Sequence, residues 1–395
     1  MTRALVLGGG FGGLAAAHEL RRLLASGDEV VLVDARDEFF MGFAKLWDLG
    51  GIRPLADGTR PLAALDGHGI RFVNATIDAI DPSARRVETS AGPFDADAIV
   101  VALGAGAAPA HLELIEGASV DGMHRAFDLY DAASLPGIHA ALDEIGSGRV
   151  VVAVLGIPFK CPPAPYEAAL LVDERLRERD VRDAVDIAVV TPVPITIPAV
   201  GPDASQYVAS FLDARGIDLR TATTVSGVDA ARGVLDLGDA GELDYQLLLG
   251  VPASAPPRVI ASSPLGGEGG WIAADPATLA TGFERVYAVG DCTRVPTAGG
   301  QLPKAGVFAA AQGTVAARNA AADLGVASDR AIFDGYGYCF MEVPGRKVAT
   351  VEGNFYGTPK PDVSLSEPDE ASFARKQAFE QERLDEWLGE PSARS

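Results

Sequence analysis

The stretch from Arg3 to Asp34 constrains this chain more than any other. A short apolar run, Arg3-Ala-Leu-Val-Leu7, leads into Gly8-Gly-Gly10-Phe11-Gly12-Gly13. An Ala/Leu-rich segment from Leu14 to about Leu24 follows, then a second apolar run, Val30-Val-Leu-Val33, that ends on Asp34. Strand, glycines at 8, 10 and 13, helix, strand and terminal acid at this spacing predict a βαβ unit that binds a dinucleotide. The glycines permit the tight turn, let a pyrophosphate approach the backbone and allow the helix to sit close to the strand. Phe11 and Gly12 open the helix, whose free amides and positive dipole end favour phosphate. Asp34 is placed for ribose hydroxyls.

The same pattern organises the rest of the chain. Residues 98–104 read as another buried strand, with Ala102 and Gly104 at its cofactor end. Val286-Tyr-Ala-Val-Gly290-Asp291 delivers an acid from a strand in the same way. Together these predict a discontinuous nucleotide-binding domain over 1–115 and 271–330, which the resemblance given below makes the FAD-binding domain. Residues 116–270 read as a second nucleotide-type domain. It has a strand at 150–155, a helix at about 162–179, a strand at 186–191 and shorter strands that include 244–249. Residues 256–270, rich in Pro, Gly and Ser, read as the linker back. Residues 331–395 form a C-terminal domain: aromatics and glycines, a Pro-containing arm at 357–368, and a charged helix near 373–388. The fold class is α/β, with two Rossmann-like dinucleotide-binding domains plus a C-terminal domain.

Charge narrows the partners. Thirty-three Lys and Arg against 54 Asp and Glu give a formal −21 over 395 residues. A surface this acidic repels phosphate backbones and anionic head groups, which excludes nucleic acid and a polybasic membrane patch. No apolar run reaches the roughly 18–20 residues of a membrane span. The first residues enter a strand directly, without room for a signal peptide. A cytoplasmic protein is expected, with at most peripheral contact on the inner face of a membrane. The five histidines all lie at or before His139 without a close pair, and no metal site can be assembled from their spacing. Three cysteines, at 161, 292 and 339, are too few for a structural framework, so any bridge between them is chemical.

The second domain carries the telling departure. A nicotinamide-binding strand at 150–155 leads into a further glycine fingerprint, but here the chain reads Gly156-Ile-Pro-Phe-Lys160-Cys161-Pro-Pro-Ala-Pro-Tyr-Glu167. Three prolines after Cys161 remove the amides a phosphate needs. Pro162 suits a first helical position, which places Cys161 at the helix start. The dipole and Lys160 are therefore expected to depress its pKa and favour thiolate. Glu167 lies within proton-handling reach of the helix start.

Pro158-Phe-Lys-Cys-Pro-Pro-Ala-Pro-Tyr-Glu167 resembles the active-cysteine segment of sulfide:quinone oxidoreductases and of the flavoprotein subunit of flavocytochrome c sulfide dehydrogenases. These are glutathione-reductase-like flavoproteins of the FAD-dependent pyridine nucleotide-disulfide oxidoreductase superfamily. The resemblance spans nearly the whole chain. Gly8–Gly13 with Asp34 resembles their FAD site, and residues 281–291 resemble their second FAD motif, whose acid, here Asp291, binds the ribityl chain. Leu302-Pro-Lys304-Ala305-Gly306-Val-Phe308 resembles the helix start beneath the flavin ring. Gly335-Tyr-Gly-Tyr-Cys339-Phe-Met-Glu resembles the segment with the second redox cysteine. The resemblance implies a Cys161–Cys339 redox disulfide beside the flavin, with Glu167 and Lys304 in catalytic roles. Hydrosulfide attack would leave a persulfide on Cys339 and free Cys161 as the thiolate that reduces FAD. Electrons would then pass to a quinone or a cytochrome.

The departures from that family are specific. Residues 122–130 lack the third active cysteine of some members. Residues 37–50 lack a cysteine for covalent flavin attachment, so non-covalent FAD is expected. The final helix is a poor interfacial helix and reads as a closing element or a subunit contact, which leaves a homodimer open. Cys292 reads as a packing cysteine. Phe333, Tyr336, Tyr338 and Phe340 read equally as a quinone pocket or as core. Two enzymatic alternatives stay open, a flavin disulfide or persulfide oxidoreductase acting on another thiol and an NAD(P)H:quinone reductase, beside a non-enzymatic FAD-binding sensor.

Overall fold

The computed structural model describes residues 1–120, 124–298 and 300–390, so residues 122 and 123 of the 122–130 stretch lie outside the described residues. In chain order the elements that position the site begin with β1 (Arg3–Leu7), α1 (Phe11–Leu23) and β2 (Glu29–Asp34). The short helix α2 (Ala44–Leu49), β3 (Arg71–Asn74) and β4 (Ala98–Val101) follow. Next come β5 (Arg125–Asp128), β6 (Gly148–Val154), α3 (Ala164–Glu178), β7 (Val185–Val190), β8 (Asp218–Arg220) and β9 (Leu247–Val251). The last are β10 (Val286–Ala288), α4 (Gly306–Asp323), β11 (Tyr336–Val343), β12 (Lys347–Asn354), β13 (Asp362–Leu365) and α5 (Glu370–Leu388).

Two parallel sheets result. The first has the order β10-β4-β1-β2-β3, so residues 286–288 return to a sheet begun at residue 3. The second has the order β5-β9-β6-β7-β8. Strands such as Val150–Val154 are wholly buried, as parallel strands covered on both faces must be, and this explains their unbroken apolar runs. The third sheet, β11-β12-β13, is antiparallel and sets Cys339 opposite Val351.

Some boundaries moved for physical reasons. The helix expected from residue 162 begins at Ala164, because Pro162 and Pro163 are spent on the turn that enters it. The expected strand 244–249 is two elements: Glu242–Asp244 in a small antiparallel sheet, and β9 in the second parallel sheet. Residues 256–270 do more than link, since Ile260 and Leu265 are buried in the core behind the first sheet. The final helix closes the structure. Phe373, Lys376, Glu380, Leu384 and Trp387 recur at helical spacing and form its buried stripe. Trp387 packs edge-on to Phe11 and Phe39, with ring centroids 5.9 Å away in both cases. Among the described residues no helix is long and apolar enough to cross a membrane.

Candidate active site

The loops after β1, β2, β4 and β10 open onto one cavity of about 830 Å³. Gly8, Gly10, Phe11, Gly12, Asp34, Ala102, Gly104, Gly290, Asp291, Lys304, Ala305 and Gly306 all line it. Gly13 stands behind the wall, where a Cβ would fall 1.7 Å from the Gly8 carbonyl oxygen. Its role is the close approach of α1 to the strand. At Gly10, by contrast, a Cβ would meet nothing within 4 Å. No side chain caps the α1 N-terminus, so its first amides are left free beside that open space. The Asp34 carboxylate accepts from the Gly9 amide (2.5 Å) and from the Arg36 guanidinium (3.0 Å). Free amides, an open glycine and an acid at the end of β2 are a donor set that fits a dinucleotide.

Toward the other end of the cavity the wall changes character. Burial pushes the Asp291 carboxyl up, against the pull of Lys304 and Lys160. The Lys304 ammonium donates to the carbonyls of Asp291 (2.6 Å) and Thr293 (3.2 Å) and sits 3.9 Å from the centre of the Trp271 ring. Its main-chain carbonyl accepts from the Cys161 amide (3.0 Å), which ties the entrance of α3 to the start of α4.

Cys161, ahead of α3, and Cys339, on β11, line this same cavity as free thiols that influence one another's ionisation. The expectation of a depressed Cys161 pKa is overturned. The Cys339 thiol and burial hold the Cys161 thiol well above its ordinary value. Cys161 lies three residues ahead of the first residue of α3 and has a left-handed backbone (φ +47°), outside the first turn to which the dipole's influence is confined. Glu167 meets the pair from α3. It is buried, its carboxyl is raised by burial, and it accepts from the Glu342 amide (2.7 Å).

Lys376, on α5, escaped the reading of the sequence. It is fully buried on the cavity wall, 2.8 Å from Glu342 Oε2 and 3.6 Å from Glu167 Oε1. Burial works against its charge, but the two carboxylates prevail and its pKa is raised. Trp47 Nε1 donates to the same Glu342 oxygen (2.6 Å). The only signal for Lys376 was its place in the helical stripe with Phe373 and Leu384. Lys45 and Tyr130 were missed too. The Lys45 ammonium donates to the Tyr130 carbonyl, and the Tyr130 hydroxyl donates to the Lys160 carbonyl (2.6 Å).

The remaining cysteine and the aromatics divide clearly. Cys292 is wholly buried, its thiol is pushed up to about 11 by burial, and Sγ donates to the Val289 carbonyl (3.3 Å). Tyr338 and Phe340 line the cavity beside Phe379. Phe333 is buried against Phe308 and Tyr356, and Tyr336 points outward to Glu352.

Residues 2–313 match the pyridine nucleotide-disulphide oxidoreductase family. The chain is 23% identical over 373 residues to the mitochondrial sulfide:quinone oxidoreductase of Mus musculus, which covers 90% of this chain and 78% of that protein. It is 22% identical over 334 residues to the type II NADH:quinone oxidoreductase of Staphylococcus aureus, with 80% of this chain and 81% of that protein covered. Among solved structures, the sulfide:quinone oxidoreductase of Aquifex aeolicus superposes with a TM-score of 0.85 at 21% identity, over 99% of this chain and 93% of that one. This last likeness shows the fold.

Proposed function

This chain belongs to the pyridine nucleotide-disulphide oxidoreductase family, and from that premise we propose that it oxidises sulfide at the Cys161–Cys339 pair. Non-covalent FAD receives the electrons and a quinone takes them away. One observation carries this reading: the two thiols meet on the wall of the dinucleotide cavity, where a nicotinamide-binding enzyme would present glycines and free amides. Pro162, Pro163 and Pro165 stand there instead.

The chain's own part follows from the geometry. Hydrosulfide attacks the Cys161–Cys339 disulfide. One sulfur keeps the incoming atom as a persulfide, by family resemblance Cys339, and the other is released. The Cys339 thiol and burial hold the Cys161 thiol protonated, so its reactivity depends on a nearby group that takes the proton. Glu167 lines the same wall, and Lys376 balances it once it is charged. FAD in the cavity supplies a two-electron acceptor that can pass electrons onward. The apolar surface of Tyr338, Phe340 and Phe379 suits a flat aromatic acceptor such as a quinone.

The test is anaerobic mixing of the purified yellow protein with sulfide and, separately, with NADH, followed by flavin absorbance. Bleaching by sulfide, lost in Cys161→Ser, is the expected result. Bleaching by NADH alone would replace this reading with nicotinamide oxidation, the activity in the name of the staphylococcal relative.

A further inference from the structure

Two imidazoles from distant parts of the chain hold the end of α5. His18 Nε2, on α1, lies 2.9 Å from the Trp387 carbonyl, and His68 Nε2 lies 2.9 Å from the Gly389 carbonyl. Carbonyl oxygens accept, so both rings present Nε2–H, at a helix end where main-chain carbonyls lack intrahelical partners. The two half-buried rings meet edge to face with centroids 5.0 Å apart. Charging both would set two cations against each other at that separation.

What the histidines hold matters to the dinucleotide cavity. The Trp387 ring packs on Phe11, which lines that cavity. A second cavity of about 1160 Å³ lies between α1, α4 and α5, with His18, His68 and Trp387 in its wall. Val307, Tyr338 and Phe379 face both cavities and form the partition between them. Release of the last turn of α5 would uncover Phe11 and bring water to that partition.

Most charged groups around the pair already have partners. On α1, Glu19 accepts from Arg22 (2.7 Å) and from Arg318 of α4 (2.6 Å), and Arg21 donates to the carbonyls of Asp28 (2.7 Å) and Leu24 (3.0 Å). Asp66, close to His68, accepts from the Phe72 amide (3.1 Å), and Tyr336 of β11 donates to Glu352. On α5, Glu386 is paired with Arg383 and Asp385 accepts from Gln381 (2.8 Å), while Glu390 beyond it is exposed. Burial, helped by His68, outweighs the Trp387 carbonyl and Glu386 and lowers His18 from 6.5 to about 4.

We propose that His18 and His68 form an acid-released latch that keeps the last turn of α5 closed over Phe11 and the dinucleotide cavity. A base whose pKa is lower in the closed form binds its proton better once released. The latch is therefore fully closed above about 6.5 and loosens as pH falls from there toward 4. For His18 alone, opening should be roughly 30-fold easier at pH 5 than at pH 7.5. The latch acts whatever the substrate of the cysteine pair.

Hydrogen exchange of the flavin-loaded protein tests it. Protection of the amides at 384–389, corrected for intrinsic exchange, should fall roughly 30-fold from pH 7.5 to pH 5, while that of residues 14–20 in α1 holds. In His18→Gln, whose side-chain amide can still donate to the Trp387 carbonyl but takes up no proton, the fall should vanish. A wild-type fall under about threefold, or one in His18→Gln as large as the wild type's, overturns the latch. A second measurement needs no variant: ring-nitrogen NMR of the chain's five histidines across the same range. His18 should be the Nε2–H tautomer and titrate more than about one unit below free histidine. Titration closer to the free value than that, or a neutral ring protonated at Nδ1, overturns the proposal.

Discussion

Replacing Lys376 by Met tests the buried charge network at the centre of the site. The wild-type ammonium lies 2.8 Å from Glu342 and 3.6 Å from Glu167 and is fully buried with both. Met matches its length and leaves two buried carboxylates without a cation. Removing one partner of a buried pair costs about 3–5 kcal/mol. At about 2.1 cal/mol/K per residue, unfolding 395 residues carries an entropy of about 0.8 kcal/mol/K, so the melting temperature should fall roughly 4–6 °C. The sign of the pH dependence is fixed as well. Glu167 already has a raised pKa, and losing the cation raises it further. An acid whose folded pKa exceeds its unfolded value binds protons in the folded state, so stability falls as pH climbs from the unfolded pKa through the folded one. The deficit of the variant should therefore be smaller at pH 5.5 than at pH 8. Differential scanning calorimetry of the flavin-loaded proteins at both pH values measures it. A loss under about 1 °C at pH 8, or a deficit that grows on acidification, would refute the buried ion network.

Two further outcomes follow from the geometry. Gly13→Ala should prevent proper folding or flavin retention, because its Cβ would lie 1.7 Å from the Gly8 carbonyl, whereas Gly10→Ala, with open space at its Cβ, should fold and only weaken flavin binding; soluble yield and bound flavin after gel filtration separate the two. Asp34→Ala should weaken flavin binding by roughly 10- to 100-fold, about 1.4–2.7 kcal/mol, as a charge-assisted partner of ribose is lost; flavin fluorescence on dilution reads it.

How legible the molecule was in its sequence depends on how local each cause is. The dinucleotide end rests on neighbours within one βαβ unit. Gly8, Gly10, Gly13 and Asp34 act through backbone conformation and strand ends, which sequence spacing encodes directly. The return of residues 286–288 to the first sheet was legible because strand, glycine and acid repeat the same local pattern. The thiol end is different. Cys161 and Cys339 could be picked out as chemical residues, but their contact depends on β11 of the antiparallel sheet meeting the entrance to α3.

The Cys161 pKa shows why such nonlocal placement changes the chemistry. Its sequence neighbours, a lysine and a helix start, argue for thiolate; its spatial neighbours, Cys339 and a buried wall, argue for thiol and prevail. The same holds for Lys376, which in sequence is one charge among many on a polar helix. It becomes a buried counter-ion only because α5 turns the stripe Phe373, Lys376, Glu380, Leu384 and Trp387 inward. A charged residue that falls on the apolar period of an otherwise polar helix is therefore the more informative signal. Here that rule selects Lys376 and Glu380, and both are paired in the fold, with Glu342 and with Arg53. Reading the final helix for its buried period rather than for its sparse apolar content would have shown that it supplies charge to the site as well as closing the structure.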